Sequence, residues 1–498
     1  MPENNSRLET GIPGLDHVLH GGLIPDRLYL VDGHPGAGKT TAALQFLLAG
    51  VRAGEKGVYV TLSETAKELV AGARSHGWNT DGIDIVELIT DQSELDGEAQ
   101  LTMLHPSDVE LTETTRKVLE AVQRINPTRL VFDSLSELRL LAQNSLRYRR
   151  QILALKQFFA GRRCTVLMLD DRTGEGPDLQ LHSIAHGVIA LDYRTPPYGR
   201  SQRELQILKF RGSDFASGFH DFKITRGGLV VFPRLVAADH IASFERTQLA
   251  SGVAMLDKLV GGGFDRGSSV LLIGPPGCGK STIAIQYAVA AAERGEHAAA
   301  FVFDETKQAL LARTSGLGLT IRQGHGPGTV ALRQVNPVEI SPGEFTQIVR
   351  RCVELDGARV IIIDSLNGYL NSLQPAHFLT AQLHELLSYL NNQGVVTFLV
   401  VAQSGMIGAN MTSPVDASYL ADSVVMLRYF EHAGSVKKAI SVVKKRTGAH
   451  EDAIRELSFD RRGIHLSEPL LQLRGVLTGV PLEIRTGSEP AAMAAHAR

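Results

Sequence analysis

Short apolar runs without internal polar alternation recur along the chain, and several stop at a glycine or an aspartate. In the first half they are Arg27–Val31, Lys56–Thr61, Arg129–Phe132 and Cys164–Leu169. In the second they are Ser269–Ile273, Ala298–Phe303, Val360–Ile363 and Val395–Val401. Runs of this length without a period-two pattern predict strands covered on both faces, the situation of a parallel sheet. Helix-like segments such as Thr40–Ala53 lie between them, so each half predicts an α/β domain with a mainly parallel sheet flanked by helices.

The two halves are copies. Shifting the chain by 241 residues brings Gly11 onto Gly252, Asp16 onto Asp257, Lys39 onto Lys280 and Glu64 onto Glu305. A constant offset over a domain-sized period points to duplication, and it predicts domains at 1–240 and 241–485, with the linker near 237–248. The tail 486–498, rich in alanine and polar residues, is expected to be disordered. Lys39 precedes Asp133 by 94 positions but Lys280 precedes Asp364 by 84. The extra residues, within DQSELDGEAQLTMLHPSDVEL, make an acidic loop that is either idle surface or a partner-binding segment.

Composition narrows this picture only a little. With 498 residues, 43% hydrophobic and 21% charged, and a net charge of −2, the chain gives no overall reason to expect a nucleic-acid or membrane surface. Its three cysteines form no metal or redox spacing, and the start lacks the pattern of a secretion signal. No run of about eighteen apolar residues suggests a membrane span. The expected location is the cytoplasm.

Chemistry concentrates at two phrases, GHPGAGKTT at Gly33–Thr41 and GPPGCGKST at Gly274–Thr282. Both fit G-x-x-x-x-G-K-[ST], in which backbone amides cradle phosphate oxygens, the lysine reaches the β and γ phosphates, and the hydroxyl holds Mg²⁺. The predicted nucleotide-binding residues are Gly33, Gly36, Gly38, Lys39, Thr40 and Thr41, with Gly274, Gly277, Gly279, Lys280, Ser281 and Thr282. Asp133 and Asp364 end apolar runs, where a carboxylate would hold Mg²⁺ opposite Thr40 and Ser281, or else simply cap a turn. Ser63-Glu64 and Asp304-Glu305 follow the second strand of each half. Glu64, Asp304 and Glu305 are candidates to orient or deprotonate an attacking water, while Ser63 and Asp304 are also suited to cap the next helix. Lys209 with Arg211, and Lys444 with Arg446, share a strand face. They are either solvated edge charges or arginine-finger residues for a neighbouring subunit's γ-phosphate.

The double domain, the openings TGIPGLD and SGVAMLD, both phosphate loops and the ending KKRTGAHEDAIREL resemble the KaiC family over nearly all of residues 8–480. The resemblance implies tandem RecA-like P-loop ATPase domains in a two-tiered homo-hexamer. Mg-ATP would lie between subunits, hydrolysed slowly in the first domain and used for autophosphorylation in the second. It implies trans-acting roles for Lys209, Arg211, Lys444 and Arg446, with His450 matching a nearby histidine, and a phosphoacceptor at Ser418, followed by Tyr419. The first domain carries Ser63-Glu64 where the family usually has two glutamates. The second carries Asp304-Glu305, and Ser418-Tyr419 replaces a serine–threonine pair. These departures favour one acceptor over two, unless Ser418-Tyr419 are ordinary helix or strand residues, and they imply impaired hydrolysis in the first ring if the first member of the pair is the base. Two other readings remain: a DNA-handling motor like RecA, RadA or DnaB, which the near-neutral charge and single tryptophan (Trp78) disfavour, and a nucleotide-gated platform that recruits a small KaiB-like protein through segment 83–110.

Overall fold

The computed structural model describes residues 7–88, 106–142, 144–172, 179–196, 199–371, 376–403, 405 and 419–483. Internal contacts divide the chain into two units, 1–234 and 235–498. The strands of the first unit are β1 (Leu28–Gly33), β2 (Gly57–Thr61), β3 (Ile83–Glu87), β4 (Arg129–Asp133), β5 (Thr165–Asp171), β6 (Gly187–Arg194), β7 (Gln202–Phe210), β8 (Phe219–Thr225) and β9 (Gly228–Phe232). They form one sheet in the order β3-β2-β4-β5-β1-β6-β7-β8-β9. Pairing is parallel from β3 through β6 and antiparallel from β6 to β9. The expected mainly parallel sheet is therefore present, extended by an antiparallel flap.

The unbroken apolar runs are explained by a core on each face. Tyr29 and Val31 of β1, Tyr59 of β2 and Val131 of β4 pack into one cluster. Leu28 and Leu30, Val58 and Val60, and Leu130 and Phe132 pack into the other. Successive side chains alternate sides, so a strand between two helical layers needs apolar residues at every position. Full burial of each large aliphatic or aromatic side chain contributes about 1.5–3 kcal/mol. The helix Lys39–Arg52 lies against the first face, with Ala43, Phe46 and Leu47 buried.

The second unit repeats the design. After a short ribbon of β10 (Gln248–Leu249) and β11 (Phe264–Asp265) come β12 (Ser269–Gly274), β13 (His297–Val302), β14 (Val330–Gln334), β15 (Ala358–Asp364) and β16 (Val396–Ala402). β17 (Ser423–His432), β18 (Ser435–Lys445), β19 (Arg455–Asp460) and β20 (Gly463–Pro469) follow. Their order, β14-β13-β15-β16-β12-β17-β18-β19-β20, matches the first sheet position for position. Val270 and Leu272 face one core while Leu271 faces the other. Among the described residues no helix is long and apolar enough to cross a membrane. The predicted tail 486–498 lies outside the described residues.

Candidate nucleotide sites

In each unit the central strand, β1 or β12, ends at the glycine that opens the phosphate loop. The next helix then begins at the loop lysine. Gly38 and Gly279 occupy the N-cap positions at φ 111° and 108°, and neither helix end receives a side-chain cap. A Cβ at Gly38 would stand 2.6 Å from Ile224 Cδ1, and one at Gly279 would stand 2.2 Å from Phe459 Cζ. Glycine is required at both. The helices starting at Ala66 and Lys307, by contrast, are capped by Thr65 and Thr306. Ser63 and Asp304, expected as suitable caps, are not the capping residues, because the chain enters its first turn two residues later. The loop helices thus leave their amino ends free for an anion, which fits a phosphate group.

Lys39 is buried and donates to the carbonyls of Gly33 (2.8 Å) and His34 (3.1 Å). It also pairs with Asp171 Oδ1 at 2.6 Å. Lys280 likewise donates to Gly274 O (2.8 Å) and Pro275 O (2.7 Å). The position matching Asp171 carries no carboxylate: Gly33 aligns with Asp171 across β1–β5, and Gly274 aligns with Ala402 across β12–β16. Arg203 Nη1 donates to Gly36 O (2.7 Å) in the first loop, and the Tyr429 hydroxyl donates to Pro276 O (3.1 Å) in the second.

The expected hydroxyl–carboxylate pairs are present. Thr40 Oγ1 lies 3.4 Å from Asp133 Oδ2, and Ser281 stands close enough to Asp364 to pull its carboxyl down. Tyr59 Oη donates to the same Asp133 oxygen at 2.5 Å. Burial pushes the Asp133 carboxyl up and Asp171 adds to this, while Tyr59, Lys39 and Thr40 oppose it. Burial also raises Asp364, against the pull of Ser281 and Arg313. A buried carboxylate beside a hydroxyl, with its charged form disfavoured, is a donor set suited to a hard cation such as Mg²⁺. Thr41 and Thr282, next to the metal-type hydroxyls, face different partners. Thr41 Oγ1 is 3.5 Å from His76 Nε2, and Thr282 Oγ1 accepts from Arg313 Nη1 at 2.8 Å.

The paired glutamates are not equivalent. Glu64 is half-buried, and burial, then Asp133 and Glu68, raise its carboxyl. Glu305 is clasped by Arg313 through two contacts, at 2.9 and 3.3 Å. The 241-residue offset puts Gly72 where Arg313 stands, so the first unit lacks this clasp. Asp304 accepts a bond from the Ser365 hydroxyl and lies near enough to Asp364 to raise it.

The basic residues fold back onto their own unit. Lys209 donates to His182 O (2.6 Å) and Ser183 O, and Arg211 also reaches Ser183 O. Lys444 donates to Ala421 O, and Arg446 pairs with Asp422 at 3.1 Å and reaches Tyr419 O. Each pair does share one side, with Arg211 and Arg446 one position beyond the ends of β7 and β18. His450 lies 3.5 Å from Asp452. Tyr419 is exposed. Ser418 lies outside the described residues, as does 89–105 of the proposed docking segment.

Asp171, Tyr59, Arg203 and Arg313 also stand at the sites, although no motif marks them. For Asp171 the signal was present: TVLML ends in Asp-Asp, whereas the matching run of the second half ends in Val-Ala-Gln.

A glycine-rich loop at the carboxyl end of a central parallel strand, with an Mg²⁺-type carboxylate two strands away, defines each unit as a RecA-like P-loop ATPase domain. A family model described as ATPase: KaiC matches residues 8–236 and again 249–470, and the chain belongs to that family. It is 26% identical over 482 residues to the "Circadian clock protein KaiC3" of Synechocystis sp. (strain PCC 6803), covering 96% of this chain and 94% of that protein. The "Circadian clock oscillator protein KaiC" of Picosynechococcus sp. (strain PCC 7002) is 26% identical over 485 residues, 96% of this chain and 93% of that protein. The protein of the same name from Synechococcus elongatus is 26% identical over 494 residues, 97% and 94% respectively.

Proposed function

We propose that this KaiC-family ATPase is a regulatory switch with two unequal Mg-ATP sites, and that it works as a homo-hexamer. The observation that carries the reading is the repeated hydroxyl–carboxylate pair beside a loop lysine, Thr40–Asp133 with Lys39 and Ser281–Asp364 with Lys280. Mg-ATP supplies a γ-phosphoryl group whose transfer needs orientation and charge neutralisation. Lys39 and Lys280 exchange their loop carbonyls for phosphate oxygens, and Thr41 and Thr282 line the same helix ends. The Asp133 and Asp364 pairs hold the metal ion. Glu64 orients or deprotonates the attacking water in the first unit. Asp304 and Glu305 serve in the second, where Arg313 restrains Glu305.

Lys209, Arg211, Lys444 and Arg446 complete a neighbour's site in trans once they leave their own carbonyls. In the second unit the Ser418 hydroxyl attacks the γ-phosphorus, the bond to the β-phosphate oxygen breaks, ADP leaves and a carboxylate takes the proton. The names of the relatives support a timing role, and a small KaiB-like protein is the partner that reading implies. Equilibrium binding of a labelled ATP analogue, with peptide mass spectrometry after incubation with Mg-ATP, tests this. Two nucleotides per chain, falling to one in Lys39→Ala or Lys280→Ala, and phosphate on Ser418 are expected. One nucleotide per wild-type chain contradicts the two-site reading, and phosphate absent from wild type contradicts the autokinase.

A further inference from the structure

At the end of the second sheet opposite its phosphate loop, three residues with metal-binding side chains converge. His297 is the first residue of β13, His325 lies in the loop before β14, and Asp356 follows the helix Pro342–Glu354 and precedes β15. One ligand atom from each lies within 4.8 Å of the others. His297 is 2% exposed. Its Nδ1 is 3.0 Å from Thr329 O and 3.1 Å from Thr329 Oγ1, which assigns the ring proton to that nitrogen. Its Nε2 is then a bare lone pair, buried and without a hydrogen-bond partner among the described residues. Leaving a buried acceptor unmatched costs about 1–3 kcal/mol.

His325 Nδ1 stands 3.5 Å from Asp356 Oδ2. Two ligands on a tetrahedral ion with bonds near 2.0–2.1 Å are about 3.4 Å apart, so this edge already has a coordinating spacing. We propose that His297, His325 and Asp356 form a binding site for a borderline divalent transition-metal ion such as Zn²⁺, which joins the loop before β14 to the starts of β13 and β15. Two imidazoles and one carboxylate select such ions over Mg²⁺ or Ca²⁺. The Nδ1–H bond to Thr329 is the orienting contact that a ligating histidine commonly makes. His325, 62% exposed, supplies the adjustable ligand and leaves a position for water. It also lines a cavity of about 570 Å³ with Gln323 and Arg333, which gives the ion a path in. Arg333 Nη2, 3.8 Å from Asp356 Oδ2, holds that carboxylate beside the loop. At the offsets of the repeat, Lys56 and Ile125 occupy the places of His297 and Asp356, so the first unit carries no counterpart.

The test is zinc binding by the untagged full chain, stripped with chelator and kept in excess Mg²⁺ so that the nucleotide sites do not contribute. A chromophoric competitor reads affinity, and Co²⁺ substitution reads geometry by its visible absorption. One zinc per chain is expected, weakened at least tenfold in both His325→Ala and Asp356→Asn, with the Co²⁺ band lost. His325 is exposed, so His325→Ala keeps its fold, which circular dichroism checks. Undiminished affinity in both variants overturns the proposal, as does a wild type that retains no zinc at micromolar concentrations.

Discussion

At Asp171 a single side chain distinguishes the two phosphate loops. Its carboxylate holds Lys39 and competes with a phosphate for the lysine. The same carboxylate also repels phosphate oxygens. In the second unit Ala402 imposes neither demand. A partly exposed pair of this kind is worth about 1 kcal/mol, so Asp171→Asn is expected to tighten ATP binding at the first site about fivefold, read by calorimetry in a Lys280→Ala background. Weaker binding would instead make Asp171 part of the phosphate site.

Protonation acts at this scale too. Burial raises Asp133 and Asp364 above the ordinary 3.8, and in the proposed function an Mg²⁺ ion would take only the ionised forms. Mg²⁺-dependent nucleotide binding should therefore weaken on acidification at a pH above 3.8. Mg²⁺ dependence that persists unchanged down to that value contradicts the assignment. For metal-free stability the sign is opposite. The folded carboxyl holds its proton more tightly than the unfolded one, so its stabilising contribution falls as pH rises from 3.8 through the raised value.

Among the elements, β4 shows how a strand is fixed at both ends. Its last residue is Asp133, and its first is Arg129, whose buried guanidinium pairs with Glu55. Arg129 also donates to Glu9 O and Phe46 O at 2.8 Å and stacks over the Phe46 ring. Removing it strands Glu55 and two carbonyls, so Arg129→Ala should cost the first unit about 3 kcal/mol in urea unfolding. A loss below about 1 kcal/mol would mean that water replaces these contacts.

The inner strands were legible in the sequence because burial on both faces favours unbroken apolar runs, and β1, β2, β4 and β5 all carry that mark in their middles. β3 was not legible: at the sheet edge its residues Ile83–Glu87 are half-buried or exposed. The antiparallel flap was legible only at Lys209–Arg211 and Lys444–Arg446, which read as strand ends, since β7 mixes buried Leu205 and Ile207 with half-buried charges. At the sites, the loops and Asp133 were readable from spacing. Arg313 was not, because its meaning depends on how its helix turns back to Glu305 and Thr282.

For the whole molecule, duplication produced two sheets of identical order whose sites then diverged. The first unit joins an unclasped Glu64 to a lysine held by Asp171. The second joins an arginine-clasped Glu305 to a lysine that makes no ion pair among the described residues. The proposal that hydrolysis runs chiefly in the first unit differs from the expectation based on Ser63 alone, which placed the weakness there. In the proposed function, sites that differ in this way serve two tasks, release of phosphate in one unit and controlled transfer in the other.

The most direct measurement is steady-state ATP turnover of Glu64→Gln and Glu305→Gln side by side. Loss of a general base lowers a rate by about 10²–10⁴-fold, so Glu64→Gln should remove nearly all turnover while Glu305→Gln leaves most of it. Equal losses, or a greater loss in Glu305→Gln, would contradict the account.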